Sequence, residues 1–277
     1  MIHSSVVLLL LRMVKDLAKK IDEYWVRRSE KAQAAITAKN TKQLEKQLAK
    51  YYSSTMNGVI NDFTLLLEKL EKQKAEGKNI TPADLYKLDK YWKLQAQSRK
   101  ELEKLGEKQL AALGKTFESS FMEVYEALEI DGMPTFTTLD RQGVQQMINQ
   151  IWVADGKTYS QRVWKNVEKL ISTLNDELIH CVAAGKSPKD LKQMLKRRFE
   201  VSYSQADTLI RTELCHIQTQ AAQKRYEDYG IKYVEVLVDA DACEKCQKLK
   251  GQKWLTTAVP PLPVHPNERC CLVPIIE

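Results

Sequence analysis

Residues 233–246, which read YVEVLVDADACEKC, mark the point where the chain changes from helical to strand periodicity. Valines alternate with other side chains over residues 233–238, and this two-residue period predicts a strand with both faces largely apolar. Cys243 and Cys246 follow in a Cys-x-x-Cys spacing. The rest of the chain, after a Lys-Gly turn, is rich in proline, and we expect it to be an extended loop.

Long amphipathic helices are predicted for the chain that precedes this stretch. Apolar side chains recur at steps of three and four residues from Leu44 to Leu70, which is the spacing of one helix face. Candidate N-caps stand at Thr41, Thr81, Ser160, Ser187 and Ser204, and candidate breaks at Gly106 and Gly114. The predicted fold class is therefore mainly α, with long amphipathic helices followed by a small C-terminal α+β lobe.

Three segments are predicted in chain order. Residues 1–130 form a helical N-terminal arm or domain, residues 131–230 a second helical part, and residues 231–277 a lobe with a strand and a Cys/His metal site. The first boundary depends on the Asp-Gly-Met-Pro sequence of residues 131–134, because glycine and proline interrupt helices.

The charge balance of the chain is moderately basic. Its 277 residues include 43 Lys and Arg against 36 Asp and Glu, a net charge of +7, which permits contact with nucleic acid without requiring it. Lys189, Lys192 and Lys196 lie on one predicted helix stripe, with Arg197 and Arg198 beside it. These are candidate phosphate contacts, which would be salt-dependent and independent of base sequence. A solvated helix face is the alternative interpretation.

Several functional classes are disfavoured by the sequence. The longest uninterrupted apolar run, Val6–Leu11, is much shorter than the about 20 residues that cross a bilayer. It also lacks the flanks of a secretory signal, so we expect no membrane partner and retention in a cytosol-like compartment. The absence of a Walker loop, a dinucleotide-binding loop and a nucleophile motif argues against a nucleotide-driven motor.

A metal site is predicted from the clustered cysteines. Cys243 and Cys246 offer two thiolates on one tight turn. His265 and a cysteine at position 270 or 271 can complete a tetrahedral shell of three sulfurs and one nitrogen, which suits Zn²⁺. A bound metal commonly stabilises a segment this small, because so few residues cannot build a sufficient hydrophobic core. Reduced surface cysteines and a redox Cys-x-x-Cys motif are the alternatives.

The number of ligands decides the role of the predicted zinc. Four protein ligands leave no position for water, so the site would be structural. With only three ligands a catalytic zinc becomes possible, and Glu213 or Glu268 would be the candidate base.

The order of motifs in the C-terminal half resembles a known family. Arg211-Thr-Glu213 on a helix, a strand, Cys-x-x-Cys and a terminal His265-Pro-Asn-Glu-Arg-Cys270 resemble the phage minor head (head morphogenesis) family of the Mu F type, over roughly residues 135–277. That family's tail commonly reads His-Pro-Asn-Cys-Arg-Cys, so Glu268 replaces its first cysteine and Cys271 is additional. In this register Cys270 matches the family's second cysteine. The resemblance therefore implies four zinc ligands: Cys243, Cys246, His265 and Cys270.

This resemblance implies a function. The chain would be a minor capsid protein of a tailed phage or prophage, made in the bacterial cytoplasm and assembled into the virion near the portal. Residues 131–230 would be the helical part of the head-morphogenesis domain. The implied partners are portal, major capsid or scaffold proteins, with phage DNA as a further candidate. The resemblance implies no enzymatic activity and no small-molecule substrate. The alternative is a zinc-stapled, non-specific nucleic-acid-binding protein or a phage-derived effector.

Arg211 and Glu213 are predicted to connect the helix to the zinc lobe. They stand two residues apart on a helix and therefore do not face each other. We expect one or both to form an ion pair that ties helix 204–229 to the lobe, the alternative being an exposed pair of helical charges. Glu213 and His216 also match a helical metal-ligand spacing, but a single copy indicates an ordinary helix face.

Overall fold

A computed structural model of the protein describes residues 2–78, 81–130, 139–239 and 242–276. These residues form long helices followed by a small antiparallel sheet, which confirms the predicted fold class. The helices are α1 (Ile2–Ala75), α2 (Pro82–Leu85), α3 (Asp89–Ala127), α4 (Arg141–Ile148), α5 (Tyr159–Ala183), α6 (Pro188–Asp228) and α7 (Glu244–Gln247). The strands are β1 (Tyr233–Val238), β2 (Lys253–Leu255) and β3 (Cys270–Ile275), and a 3₁₀ turn (Thr256–Ala258) follows β2. No described helix is both long and apolar enough to span a bilayer.

Two predicted helix starts are wrong, because the helices run through them. Thr41 lies inside α1 and is buried, and Ser204 lies inside α6. Tertiary packing overrides such local signals, because burying a continuous apolar face stabilises a helix more than one cap does. The predicted start at Ser187 is confirmed: its hydroxyl accepts the N–H of Asp190 at 3.2 Å, while the Asp190 carboxylate accepts the N–H of Ser187 at 3.1 Å.

The other two predicted starts are nearly correct. Thr81 and Asp84 form a capping box, but the helix that follows ends already at Leu85. The N-cap of α5 is Thr158, two residues before Ser160.

The predicted breaks at Gly106 and Gly114 are also wrong, since α3 continues through both. A Cβ atom on Gly106 would lie 3.0 Å from Cζ3 of Trp164 and 3.1 Å from Cγ2 of Val167. Glycine at this position therefore permits the close approach of α5, and it does not end the helix.

The chain divides into two compact units that are discontinuous in sequence. One comprises residues 1–42, 115–153 and 210–277, and the other residues 43–114 and 154–209. Neither follows the three continuous segments expected from the sequence, and that division stays a prediction. Its first boundary, at residues 131–134, lies outside the described residues.

The second unit has an all-helical core. Apolar side chains on α1, α3, α5 and α6 are buried in it, among them Leu44, Leu48, Phe63, Leu102, Leu113, Val163, Leu174, Leu191, Leu195 and Phe199. The stripe predicted from Leu44 to Leu70 supplies one face of this core, as its spacing requires.

The first unit contains the sheet, in the order β2-β1-β3. β1 pairs with both neighbours in antiparallel register, with Val234 opposite Trp254 and Val236 opposite Leu272. The expectation that the whole proline-rich tail is an extended loop is wrong, because its residues 270–275 form β3. Pro274 is compatible with this strand because β3 lies at the sheet edge, where a missing N–H leaves no ladder hydrogen bond unmade.

Two helices bind the outer edge of the sheet, along β3, at a single carbonyl. The oxygen of Leu272 accepts hydrogen bonds from the Gln33 side chain of α1 at 2.9 Å and from the Tyr226 hydroxyl of α6 at 3.1 Å. Leu272 and Val236 are fully buried. The lobe is thus packed against the helices of its own unit and has no free sheet edge at this point.

Candidate metal centre

The Cys-x-x-Cys sequence forms a single tight turn after β1. Cys243 is the N-cap of α7 with an extended backbone, and Cys246 lies within that short helix. The first residues of a helix have N–H groups without intrahelical acceptors, and those of Cys246 and Lys245 lower the pKa of the Cys243 thiol. The turn therefore holds two sulfurs side by side, with Cys243 exposed and Cys246 buried.

His265 completes a group of three donor atoms. Its Nε2 lies 2.9 Å from Sγ of Cys243 and 3.0 Å from Sγ of Cys246, and the two sulfurs are 3.5 Å apart. A tetrahedral zinc with ordinary bond lengths places its ligand atoms about 3.5–3.8 Å apart. The sulfur–sulfur separation fits this value, and the imidazole has to move outward by roughly half an ångström to accommodate the ion.

The other ring nitrogen of His265 is oriented by the backbone. Nδ1 lies 3.0 Å from the carbonyl oxygen of Pro266, which can only accept a hydrogen bond. The Nδ1 proton donated there leaves Nε2 as the free donor atom that faces the sulfurs. Metal-binding histidines commonly have this second contact, which fixes both tautomer and ring orientation.

The electrostatics of the two cysteines differ. The backbone N–H of Cys246, with a smaller contribution from the imidazole of His265, lowers the pKa of Cys243 to about 7. Burial raises the pKa of Cys246, and the nearby carboxylate of Glu268 raises it further. The backbone carbonyl of Pro266 raises the pKa of His265. A bound cation would favour the thiolate form of Cys246, since metal ligands bind deprotonated.

The structure does not bring Cys270 into this group. Its sulfur lies 3.6 Å from that of Cys215 on α6, and both residues are buried. The pKa of Cys270 is raised by the Cys215 thiol and by burial. Cys271, the neighbouring candidate, points the other way because successive strand residues alternate. Among the described residues, the group able to hold a metal consists of Cys243, Cys246 and His265.

The predicted tie between α6 and the lobe involves residues next to Arg211 and Glu213. Glu213 is almost fully buried, which excludes the exposed-pair interpretation for it, and it accepts the indole N–H of Trp152 at 2.9 Å. Arg211 is half-buried. The ion pair of these two residues with the lobe stays a prediction.

Two of the described contacts between α6 and the lobe come from Thr212 and His216, neither of which was predicted to connect the two. Thr212 Oγ1 accepts the N–H of Asn267 at 3.3 Å, and Nδ1 of His216 lies 2.7 Å from the carbonyl oxygen of Leu262. Cys215 and His216 follow Thr212 by three and four residues, and Tyr226 follows Cys215 by eleven, which is about three helical turns and places the four on one helix face. This spacing of side chains along the helix was the sequence signal from which the face of α6 that contacts the lobe could have been predicted.

The five basic residues predicted as phosphate contacts on α6 are all exposed, but they are not equivalent. Arg198 forms a 2.6 Å ion pair with the buried carboxylate of Glu177, and Lys196 lies 4.0 Å from Glu200. Among the described ion pairs, none includes Lys189, Lys192 or Arg197. Two of the five predicted phosphate contacts, Lys196 and Arg198, thus form ion pairs within the protein.

The chain resembles no characterised protein closely enough to name a family. No protein-family model matches it, and neither a curated protein nor a solved structure is significantly similar to it. What can be stated from the structure is a Cys₂His group able to hold a metal ion in a C-terminal lobe. Two sulfurs and an imidazole favour zinc over Mg²⁺ and Ca²⁺, which prefer oxygen ligands.

Proposed function

We propose that the chain is a minor head protein of a tailed phage or prophage, which acts in head assembly near the portal and carries a structural zinc. The observation that supports this most is the convergence of Cys243, Cys246 and His265 in a lobe attached to the helix that carries Arg211-Thr-Glu213. These motifs occur in the order of the family that the sequence resembles.

The contacts of the lobe support a structural role for the metal. Hydrogen bonds from Asn267 to Thr212 and from Tyr226 to Leu272 attach it to α6, one just before the edge strand β3 and one within it. A zinc ion would fix the turn at Cys243 to the loop at His265, which lies 22 residues further on. The lobe would then be a rigid terminal module that presents a constant surface to its neighbours.

The N-terminal part of α1 is the proposed surface for portal, capsid or scaffold proteins. Met13, Ile21 and Tyr24 are 60%, 41% and 57% exposed on this helix. Apolar side chains on an exposed helix are the kind of anchor that a helix-binding groove receives. The proposal includes no catalytic step and no small-molecule substrate.

Quantitative mass spectrometry of purified particles tests this function. The source strain is induced, and mature heads and proheads are separated and analysed for peptides of this chain and of the portal. We expect the chain at a number of copies comparable with the portal. Its absence from both mature heads and proheads would contradict the proposal.

A second proposal, non-specific binding of DNA, is favoured by the exposed cations on α6. Lys189, Lys192 and Arg197 are exposed and lie in no described ion pair, so they are available to phosphates. Filter binding of random duplex DNA should weaken steeply with salt concentration, and replacing all three by Ala should reduce the slope by about 3. Lys87→Ala, which removes an exposed lysine that lies outside the stripe and pairs with Asp84 at 3.0 Å, is the control, and a slope near zero for the unmodified protein would exclude DNA binding.

A further inference from the structure

We infer that Glu268 is the fourth ligand of the zinc, so that the site has two thiolates, one imidazole and one carboxylate. This inference deepens the metal centre of the proposed function and rests on it. It replaces Cys270, which the sequence suggested, by a residue whose buried carboxylate is hydrogen-bonded to the loop that carries His265.

The first observation is a buried carboxylate oxygen without a partner. Glu268 is 7% exposed, and within the described residues its Oε1 makes no hydrogen bond. The other oxygen, Oε2, accepts the backbone N–H of Val264 at 2.9 Å. No described ion pair involves Glu268. Burying an unpaired carboxylate is unfavourable, so an oxygen in this position calls for a cation.

The second observation is the position of that carboxylate. Its Oε2 accepts the backbone N–H of Val264, the residue immediately before His265, at 2.9 Å. Glu268 is thus attached to the same loop as His265 and follows it by three residues. It stands outside the tight group of three donor atoms, and we expect the side chain to move inward on metal binding.

The loop that carries His265 explains how Glu268 reaches the interior. Asn267 has a left-handed backbone with φ of 63°, a conformation that asparagine tolerates better than most residues. The turn leaves Asn267 and Arg269 exposed and buries Glu268 between them. The N–H of Asn267 is held by Thr212 of α6 at 3.3 Å, so the position of the turn is fixed from the helix side.

The chemistry of the set is consistent with zinc. A carboxylate oxygen is an accepted zinc ligand at about 2.0–2.2 Å. Two thiolates and one carboxylate give a zinc site the same net charge as three thiolates, since each anionic ligand contributes one negative charge. Glu268 can thus replace a cysteine without changing the charge that the lobe has to bury.

Metal titration of the full-length chain tests this assignment. Zinc affinity is measured by competition with a chromophoric chelator, and Co²⁺ is bound to the same proteins to record its thiolate charge-transfer absorption. We expect Glu268→Gln to weaken zinc binding at least about tenfold. Cys270→Ser, the matched control for the ligand expected from sequence, should stay within about twofold of the unmodified protein.

The substitution Glu268→Cys distinguishes a metal ligand at position 268 from a residue with only a structural role. We expect Glu268→Cys to bind Co²⁺ and to raise the charge-transfer absorption by about one half, because the thiolates increase from two to three. If Cys270 is a ligand instead, Cys270→Ser lowers that absorption by about one third. Unchanged zinc affinity in Glu268→Gln, or unchanged absorption in Glu268→Cys, overturns the assignment.

These measurements are independent of the role in head assembly. Purified protein that binds zinc through Glu268 but is absent from phage particles would retain the ligand assignment and contradict only the minor head function. A chain that binds neither zinc nor Co²⁺ overturns the assignment together with the structural zinc.

Discussion

The indole ring of Trp152 lies flat on the imidazole ring of His216, with ring centroids 4.0 Å apart and an angle of 8° between the planes. The same indole donates to Glu213 at 2.9 Å, and the same imidazole contacts the carbonyl oxygen of Leu262 at 2.7 Å. Trp152 thereby holds the two side chains of α6 that border the lobe. The face of α6 that contacts the lobe is thus fixed by a residue that is distant in sequence.

Trp152→Phe should destabilise the protein while keeping an aromatic ring in place. The substitution removes the N–H that Glu213 accepts, and a buried carboxylate that loses a donor costs about 1–3 kcal/mol. Urea unfolding measures this free energy. Trp254→Phe is the control, because the indole nitrogen of Trp254 has no described partner, and it should cost much less. Equal losses in the two variants would argue against a role for the Trp152–Glu213 hydrogen bond.

Gly106→Ala should be destabilising although alanine favours helices. Its Cβ would meet Trp164 at 3.0 Å and Val167 at 3.1 Å, and overpacking of this kind typically costs about 1–3 kcal/mol. Gly58→Ala in α1 is the matched control. Nothing lies within 4 Å of a Cβ there, so this change should stabilise the protein by about 0.5–1 kcal/mol. The two variants are compared by their urea midpoints, and stabilisation by both would contradict the close contact.

Removal of the metal should destabilise the lobe. We expect a chelator to lower the Tm of the unmodified protein, because zinc binding contributes to the free energy of folding. The double variant Cys243→Ser, Cys246→Ser should contain no zinc and should not respond to the chelator. Cys181→Ala, which alters a buried cysteine of the other compact unit, should retain zinc. Zinc retained by the double variant at the level of the unmodified protein would contradict the site.

The cap of α6 should contribute to the acid sensitivity of the fold. The hydroxyl and the backbone N–H of Ser187 lower the pKa of Asp190 below its ordinary value of 3.8. A lowered pKa in the folded state means that the carboxylate stabilises the fold above the unfolded pKa. That contribution is lost as the pH falls through the folded value.

Two variants measure this pH dependence. Asp190→Asn removes the titrating group, and Ser187→Ala removes the hydroxyl that lowers its pKa. Both should show a smaller decrease in Tm than the unmodified protein between about pH 5 and pH 2. A decrease as large as that of the unmodified protein in either variant would show that the cap does not contribute.

Helix content and the donors of the metal centre could be predicted because both depend on short-range patterns. The apolar period from Leu44 to Leu70 identifies a helix face without knowledge of its partner. The Cys243–Cys246 spacing by itself places two sulfurs on one turn, and His265 is a conspicuous third donor in a histidine-poor chain. The helix ends were less predictable, because Thr41 and Ser204 have the side chains of caps but lie within packed helices.

The sequence by itself determined a mainly helical chain that ends in a lobe with a Cys₂His donor group. Only the tertiary structure decided that residues 270–275 pair with β1, that Cys270 consequently faces Cys215, and that Glu268 is buried in the loop that carries His265. Helical periodicity and metal-ligand spacing are patterns of residues that lie close together in the sequence, so they can be recognised without the tertiary structure. Strand pairing between Val238 and Cys270, by contrast, depends on backbone hydrogen bonds across more than 30 residues, and no local pattern encodes which side chain such a pairing buries.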